Sequence, residues 1–260
     1  MGVEKPFAGR ARVSLEYLDR VERMGTPGFN RKEVNEQRGS LGLSYSPSRR
    51  MALSVVVPWV DKQVTTTSLA EESTQAVGDI NLTAKLFLQP DTPLPKHLYG
   101  VTLGVTLPTA PEKKDASGQL LDIDAQPGAG ATIAQAGAWY SHFQFPYLFY
   151  ISGVANLPSE GDQGFHPGDS FLTTLQVQYS FNYQWAVQAN LDTRWSERDT
   201  YDGERDANSG GFLAFIAPGM VFKPVEDLLL TVSTQIPVID DLHGEHEEGQ
   251  TVRLGVIYDW

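Results

Sequence analysis

The 260-residue chain contains no cysteine. A disulfide framework, thiol catalysis and thiolate-metal sites are therefore excluded, and the absence suits an oxidising compartment where stray thiols are a liability. No stretch approaches the run of about 20 apolar residues that a transmembrane helix needs, so a helical membrane protein is excluded as well. Positive charge is scarce: 20 Lys and Arg face 32 Asp and Glu, for a formal net charge of −12. Nucleic acid, whose binding needs a basic face, is not a partner of such a chain. Only five histidines occur, widely scattered, and no Gly-rich loop follows a strand and opens a helix as a phosphate cradle does. The start, Met1-Gly2-Val3-Glu4-Lys5-Pro6, lacks the basic stretch and apolar core of a signal peptide, which for an exported protein implies the mature form.

What the sequence has is strands. Runs of β-branched, aromatic and Leu residues at period two, bounded by Gly, Pro, Asn or Asp, predict strands over 10–22, 37–45, 51–60, 78–88, 99–108, 131–140, 147–157, 170–181, 185–195, 211–222, 228–239 and 251–260. Their lengths suit the roughly 9–11 residues of a tilted membrane-crossing strand. The connections alternate: 23–36, 61–77, 109–130, 158–169, 196–210 and 240–250 are long, whereas 46–50, 89–98, 141–146, 182–184 and 223–227 are short. Outer-membrane barrels alternate in this way between extracellular loops and periplasmic turns. The expectation is one all-β domain over 1–260, a monomeric up-and-down antiparallel barrel of about twelve strands. Both termini would be periplasmic, with 1–9 an N-terminal periplasmic segment.

Prolines and aromatics mark the two ends. Pro58, Pro108, Pro158 and Pro237 close upward strands, where a residue without an N–H can end or bend pairing just before an external loop. Tyr45, Tyr99, Tyr140, Phe143, Phe145, Tyr147, Phe181, Tyr183, Trp185, Phe222, Tyr258 and Trp260 cluster beside the short turns as an interfacial girdle, with Tyr17, Trp59 and Trp195 in the opposite one. The closing strand, Thr251–Trp260, ends on an aromatic as barrel-closing strands do, and Tyr258 and Trp260 read as its signal to the barrel-assembly machinery.

Trp260 facing lipid sets the parity of the strands that alternate cleanly; 131–140 and 211–222 are apolar on both faces and stay unassigned. The opposite face then carries Arg12, Glu16, Arg38, Lys85, Asp192, Arg194 and Arg253 among Ser, Thr, Asn and Gln. Such a polar row suits a wet lumen better than a soluble core. Two readings of these charges stand: the basic residues give a narrow pore a potential favouring anionic or electron-rich solutes, or they pair with Glu16 and Asp192 and stiffen a closed barrel.

The chain resembles the outer-membrane family named for the meta-pathway of phenol degradation. The resemblance rests on Gly78-Asp79-Ile80-Asn81-Leu82-Thr83-Ala84-Lys85, Gly104-Val105-Thr106-Leu107-Pro108-Thr109, Gly128-Ala129-Gly130-Ala131-Thr132, Ala217-Pro218-Gly219-Met220 and Gln235-Ile236-Pro237-Val238, in that order. It departs at Thr109-Ala110, where Thr-Gly is common. The resemblance implies an outer-membrane barrel and uptake of small, often hydrophobic or aromatic compounds; it supplies no catalytic residue and no cofactor.

The remaining chemistry is thin. His243 and His246, in an acidic stretch, have metal-ligand spacing, but a solvated external loop explains them, and no tight metal site is expected. A barrel phospholipase needs a Ser and His pair facing lipid, and no predicted strand contains a histidine: His97 and His142 fall in turns, His166, His243 and His246 in loops. The sequence thus points to a non-enzymatic, cofactor-free outer-membrane channel for passive diffusion of small solutes, in contact with membrane lipid and lipopolysaccharide. The alternative is a structural barrel that scaffolds a partner protein through its acidic loops.

Overall fold

The computed structural model describes residues 8–68, 71–89 and 95–260; the expected periplasmic segment 1–9 falls largely outside them. In chain order the strands are β1 (Ala11–Met24), β2 (Lys32–Ser48), β3 (Met51–Thr66), β4 (Glu71–Val77), β5 (Ile80–Phe87), β6 (His97–Leu107), β7 (Ile133–Gln144), β8 (Tyr147–Pro158), β9 (Phe165–His166), β10 (Ser170–Ser180), β11 (Trp185–Ser196), β12 (Thr200–Tyr201), β13 (Glu204–Arg205), β14 (Gly211–Val225), β15 (Leu228–Leu242), β16 (His246–Glu248) and β17 (Thr251–Asp259). Neighbours pair antiparallel throughout, and β1 pairs with both β2 and β17, so the sheet closes on itself. Two staves are interrupted: β4 and β5 both lie along β3 with a break at Gly78 and Asp79, and β16 and β17 both lie along β1. Counting each broken stave once, the closed barrel has twelve. The short strands β9, β12 and β13 form a separate three-stranded sheet over the long connections. Closure leaves no unpaired edge along the barrel wall.

All twelve predicted strands are present, but several reach further toward the loop end. Residues 32–36, 61–66 and 71–77, expected within loops, continue the ladders, with Lys32 paired to both Met24 and Thr66. These extensions lie beyond the apolar belt and are largely polar outside, with Val34, Val64 and Ala76 isolated among polar residues on the inner face, so they carry no sustained period-two hydrophobic signal. Pairing and cross-strand bonds such as Arg23 to Glu33 (2.8 Å) hold them instead. Pro58 consequently does not end its strand. It stands opposite the Gly78 and Asp79 break, where Gly78 donates to its carbonyl (2.8 Å), so the missing N–H falls where the ladder on that side is already interrupted. Pro237 sits at an irregularity in the β14–β15 ladder.

The outer surface has a sharp chemical boundary. Outward residues on β3 run Leu53, Val55, Val57 and Trp59, then change to Asp61 and Gln63; β1 runs Val13, Leu15 and Tyr17, then Asp19. At that line Gln75 donates to Asp61 (2.7 Å) and the Tyr17 hydroxyl to Asp19 (3.4 Å). Below it, large side chains such as Leu15, Leu103 and Leu157 are more than half exposed. A soluble protein does not expose so continuous an apolar band. At the turn end the belt closes on aromatics, with Trp185 stacked on Phe222 (4.1 Å) and Tyr147 edge-on to Tyr179 (5.3 Å). The two unassigned strands resolve: Ala134, Ala136, Ala138 and Tyr140 face out on β7, and Ile216, Pro218 and Met220 face out on β14. This parity turns Phe143 inward against the lumen cluster, so it does not belong to the girdle. His97 and His142, expected in turns, are paired residues of β6 and β7, because those strands run further toward the turn end than their apolar pattern does. His166 and His246 likewise lie in β9 and β16.

Candidate lumen and its constriction

The inner wall is built in bands. Near the turn end, Asp259 accepts from Arg12 Nε (2.6 Å) and Nη2 (2.8 Å) and from Arg10 (2.7 Å), across the β1–β17 seam. Close by lies an apolar cluster of Phe87, Leu98 and Trp139, with Ala52, Phe143 and Tyr150 against it, and the Lys85 ammonium stands 4.2 Å from the centre of the Trp139 ring. Gly100 makes room for that indole: a Cβ there would meet the Leu86 carbonyl and come within 3.0 Å of the ring.

A row of neutral amides and hydroxyls crosses the wall from β5 to β10. Thr83 donates to Asn81 (2.8 Å), Asn81 to Gln135 (2.8 Å), Gln135 to Asn156 (3.1 Å) and Asn156 to Ser170 (3.0 Å). Each amide spends both its donor and its acceptor on a neighbour, so the wall is polar toward the interior while its groups remain satisfied.

Above this row lies an ionic network. The fully buried carboxylate of Glu36 takes Arg20 (2.8 Å) and Arg38; Glu248 takes Arg20 (3.5 Å) and Arg194 (3.2 Å); and the Glu22 carboxylate meets His246 Nε2 at 2.6 Å. These groups come from four different staves: Arg20, Glu22, Glu36, Arg38 and Arg194 follow the inward parity, and a one-residue shift between β16 and β17 turns His246 and Glu248 inward beside them.

The connection 108–132 fills the loop end. Leu121 and Ala125 bury themselves against Val34, Val64 and Met24. Lys32 binds Asp122 (2.7 Å) and Asp124 (3.0 Å), and Lys62 donates to the Gln126 carbonyl (3.0 Å). Gln126 is buried and donates to the carbonyls of Lys113 and Leu121, while Asp79, in the break between β4 and β5, accepts from the backbone of Ala110 (3.0 Å) and Ala129 (3.2 Å) and so clasps both ends of the loop. Burial raises the Asp124 carboxyl above its ordinary value; for Asp122 burial acts in the same sense, but the hydrogen bonds from Lys32 and the Asp124 backbone, together with the Lys32 charge, outweigh it and hold the group lower. An open cavity of about 500 Å³ remains at this mouth, among Lys32, Asp122, Asp124, Tyr201, Arg205 and Asp206.

The sequence-predicted residues distribute unevenly over these bands. Arg12, Arg38 and Arg194 have carboxylate partners, but these are Asp259, Glu36 and Glu248 and not Glu16 or Asp192. Glu16, between Ser40 and Gly255, has no ion pair among the described residues. Asp192 accepts from Thr174 (2.9 Å) and Gln235 (2.8 Å). Arg253 keeps a buried Nε without a hydrogen-bond partner among the described residues. Tyr258 and Trp260 face outward, their rings 6.1 Å apart. His243 is exposed, whereas His246 is committed to Glu22, so the structure gives the two histidines different surroundings. Glu36, Lys62 and Glu248 were missed because the predicted strands began late or stopped short, whereas Arg20 and Glu22 lie inside the predicted strand 10–22 and are reached by carrying the parity of Arg12, Ser14 and Glu16 three steps further.

Residues 40–238 match the model of a family described as "Putative MetA-pathway of phenol degradation". The chain belongs to this family. Among solved structures, this phenol-degradation family member is similar to the COG4313 outer membrane channel from Pseudomonas putida F1, at 15% identity and a TM-score of 0.78, over 100% of this chain and 99% of that one. It is also similar to the KdgM porin (8% identity, TM-score 0.54, 94% and 98% covered) and to the CymD monoaromatic hydrocarbon channel (9%, 0.52, 98% and 88%). These likenesses fix the fold as an outer-membrane type of barrel. No curated protein matches the chain in sequence.

Proposed function

We propose that the protein is a passive channel of the outer membrane for small solutes, aromatic compounds and anions among them. The observation that carries this is an apolar-walled, closed barrel whose interior is lined by hydrogen-bonded amides and paired charges and entered at one end by a folded loop. An inner wall built for rigidity alone would be expected to bury apolar side chains rather than the four arginines Arg12, Arg20, Arg38 and Arg194 and the four carboxylates Glu22, Glu36, Glu248 and Asp259. The proposal accords with the protein's structural neighbours, an outer membrane channel, a porin and a monoaromatic hydrocarbon channel.

The short turns lie at the end that holds Ala11 and Trp260, and barrels of this type keep short turns on the periplasmic side. Both termini are therefore assigned to the periplasm, and the long connections, with the Asp122 and Asp124 mouth, to the exterior. The closing strand would be read there by the barrel-assembly machinery, and the outer belt would meet lipid and lipopolysaccharide. We assign the chain as a monomer and as no enzyme: the side-chain partners of the histidine rings are Tyr140, His97, Gln144 and Glu22, and no serine or threonine hydroxyl is bonded to a histidine ring among the described residues.

Planar-bilayer recording tests the assignment. Discrete conductance steps are expected, together with accelerated entry of small solutes into proteoliposomes. An electrically silent protein that leaves solute entry unchanged overturns the channel and leaves the scaffold.

A further inference from the structure

Among the described residues the lumen cations of these bands have carboxylate or carbonyl partners except Lys85 and Arg253, while Arg38 Nε, Asn190 Oδ1, His246 Nδ1, Arg253 Nε and Trp139 Nε1 are buried without a hydrogen bond. Arg12, Arg20, Arg38 and Arg194 all have carboxylates, and Lys62 has the Gln126 carbonyl. Lys85 has no ion pair among the described residues; its ammonium lies over Trp139, with the Tyr150 ring centre 5.7 Å away. Beside it the buried Trp139 Nε1 has no hydrogen-bond partner among the described residues. Arg253 also lacks a carboxylate, but its ladder neighbours are Leu18 and Ser233, with no aromatic partner.

We propose that Lys85, Trp139 and Tyr150 form a subsite for the carboxylate of a small aromatic acid on its way through the lumen. The inference rests on the channel assignment and adds the solute class.

The chemistry follows from what is present and what is missing. Lys85 and the indole N–H offer donors only, on β5 and β7, and among the described residues the indole N–H has no acceptor and the ammonium no carboxylate; a buried donor left unmade costs about 1–3 kcal/mol. A carboxylate brings two acceptor oxygens, one for each donor. Phe87, Leu98, Phe143 and Tyr150 supply the apolar and aromatic wall for the ring that carries it. A neutral hydrocarbon of the same size fills the wall and leaves both donors unpaired. An aliphatic anion answers the donors and forfeits the ring contacts, and an aromatic cation meets the ammonium head-on. The site discriminates by charge and aromaticity together.

Equilibrium dialysis of the folded barrel in detergent against labelled benzoate, cyclohexanecarboxylate and toluene tests this, with bilayer recording of current block in parallel. Benzoate is expected to bind tightest and to block the current. Lys85→Met should weaken benzoate binding about tenfold, the loss of one charge-assisted contact, with Lys85→Arg restoring most of it. Trp139→Phe, which keeps a ring and removes the N–H, should weaken it severalfold. Heat-dependent gel mobility reports whether each variant is folded; if Lys85→Met is not, Trp139→Phe and the ranking of the three probes on the unsubstituted protein decide. Benzoate binding no tighter than the other two probes, or undiminished in the folded Lys85→Met protein, overturns the subsite. A conducting protein without benzoate preference defeats the subsite alone; a benzoate-binding protein that never conducts defeats the channel alone.

Discussion

Glu36 shows how much one side chain decides in this lumen. Its carboxylate is fully buried and holds both Arg20 and Arg38, whose side chains keep 27% and 40% of their exposure. Converting it to glutamine leaves two cations with one fewer counter-charge in a partly wet wall. Glu36→Gln is expected to destabilise the barrel by about 1–3 kcal/mol, less than a dry buried pair because the arginines still reach solvent. It should also move the reversal potential in a salt gradient toward anions. Urea unfolding in lipid vesicles and bilayer recording give the two readouts; an unmoved reversal potential means the network does not border the conducting path. The sequence made Arg38 legible through parity and hid Glu36, two residues earlier, because the predicted strand began at 37. Trp139 was hidden differently: alanine and glycine around it make both faces of β7 look alike, and only the inward Gln135 and Ser141 on the same parity distinguish them.

At the scale of elements, the staves were readable and the loop was not. A strand with one face in lipid must alternate, so its position survives in sequence; a loop that folds back into its own barrel leaves no period. What fastens 108–132 is dispersed over Asp79, Lys32, Lys62 and Gln126, on four separate segments. Asp79 does lie in one of the motifs that carried the family resemblance, and its two backbone acceptances explain why an aspartate suits the break between β4 and β5. Removing residues 112–127 and joining the ends with a short Gly-Ser bridge leaves both Asp79 contacts, at Ala110 and Ala129, in place. The barrel should then fold as before and conduct severalfold more, with fewer closures. Unchanged conductance in a folded deletion variant would place the narrowest point elsewhere, with the apolar cluster around Trp139 the next constriction.

The whole molecule is organised by the medium each surface meets. Net negative charge gathers beyond the belt, paired charge lines the interior, and the band between Tyr17, Trp59 and Trp195 at one end and Trp185 and Trp260 at the other is apolar. If that band is the hydrocarbon contact, the cost of an outward charge must depend on depth and not on local packing. Leu103 faces out in the middle of β6 and is 51% exposed, so replacing it removes little protein contact. In water Leu103→Arg would be nearly neutral. In a bilayer it should cost about 2–4 kcal/mol, whereas Gln37→Arg, outward just past the boundary, should cost about 0–1 kcal/mol. Both variants keep the ladder and the lumen, so conductance is a control for folding, and unfolding titrations in vesicles supply the comparison. Equal costs at the two positions would mean that the apolar band is not buried in lipid.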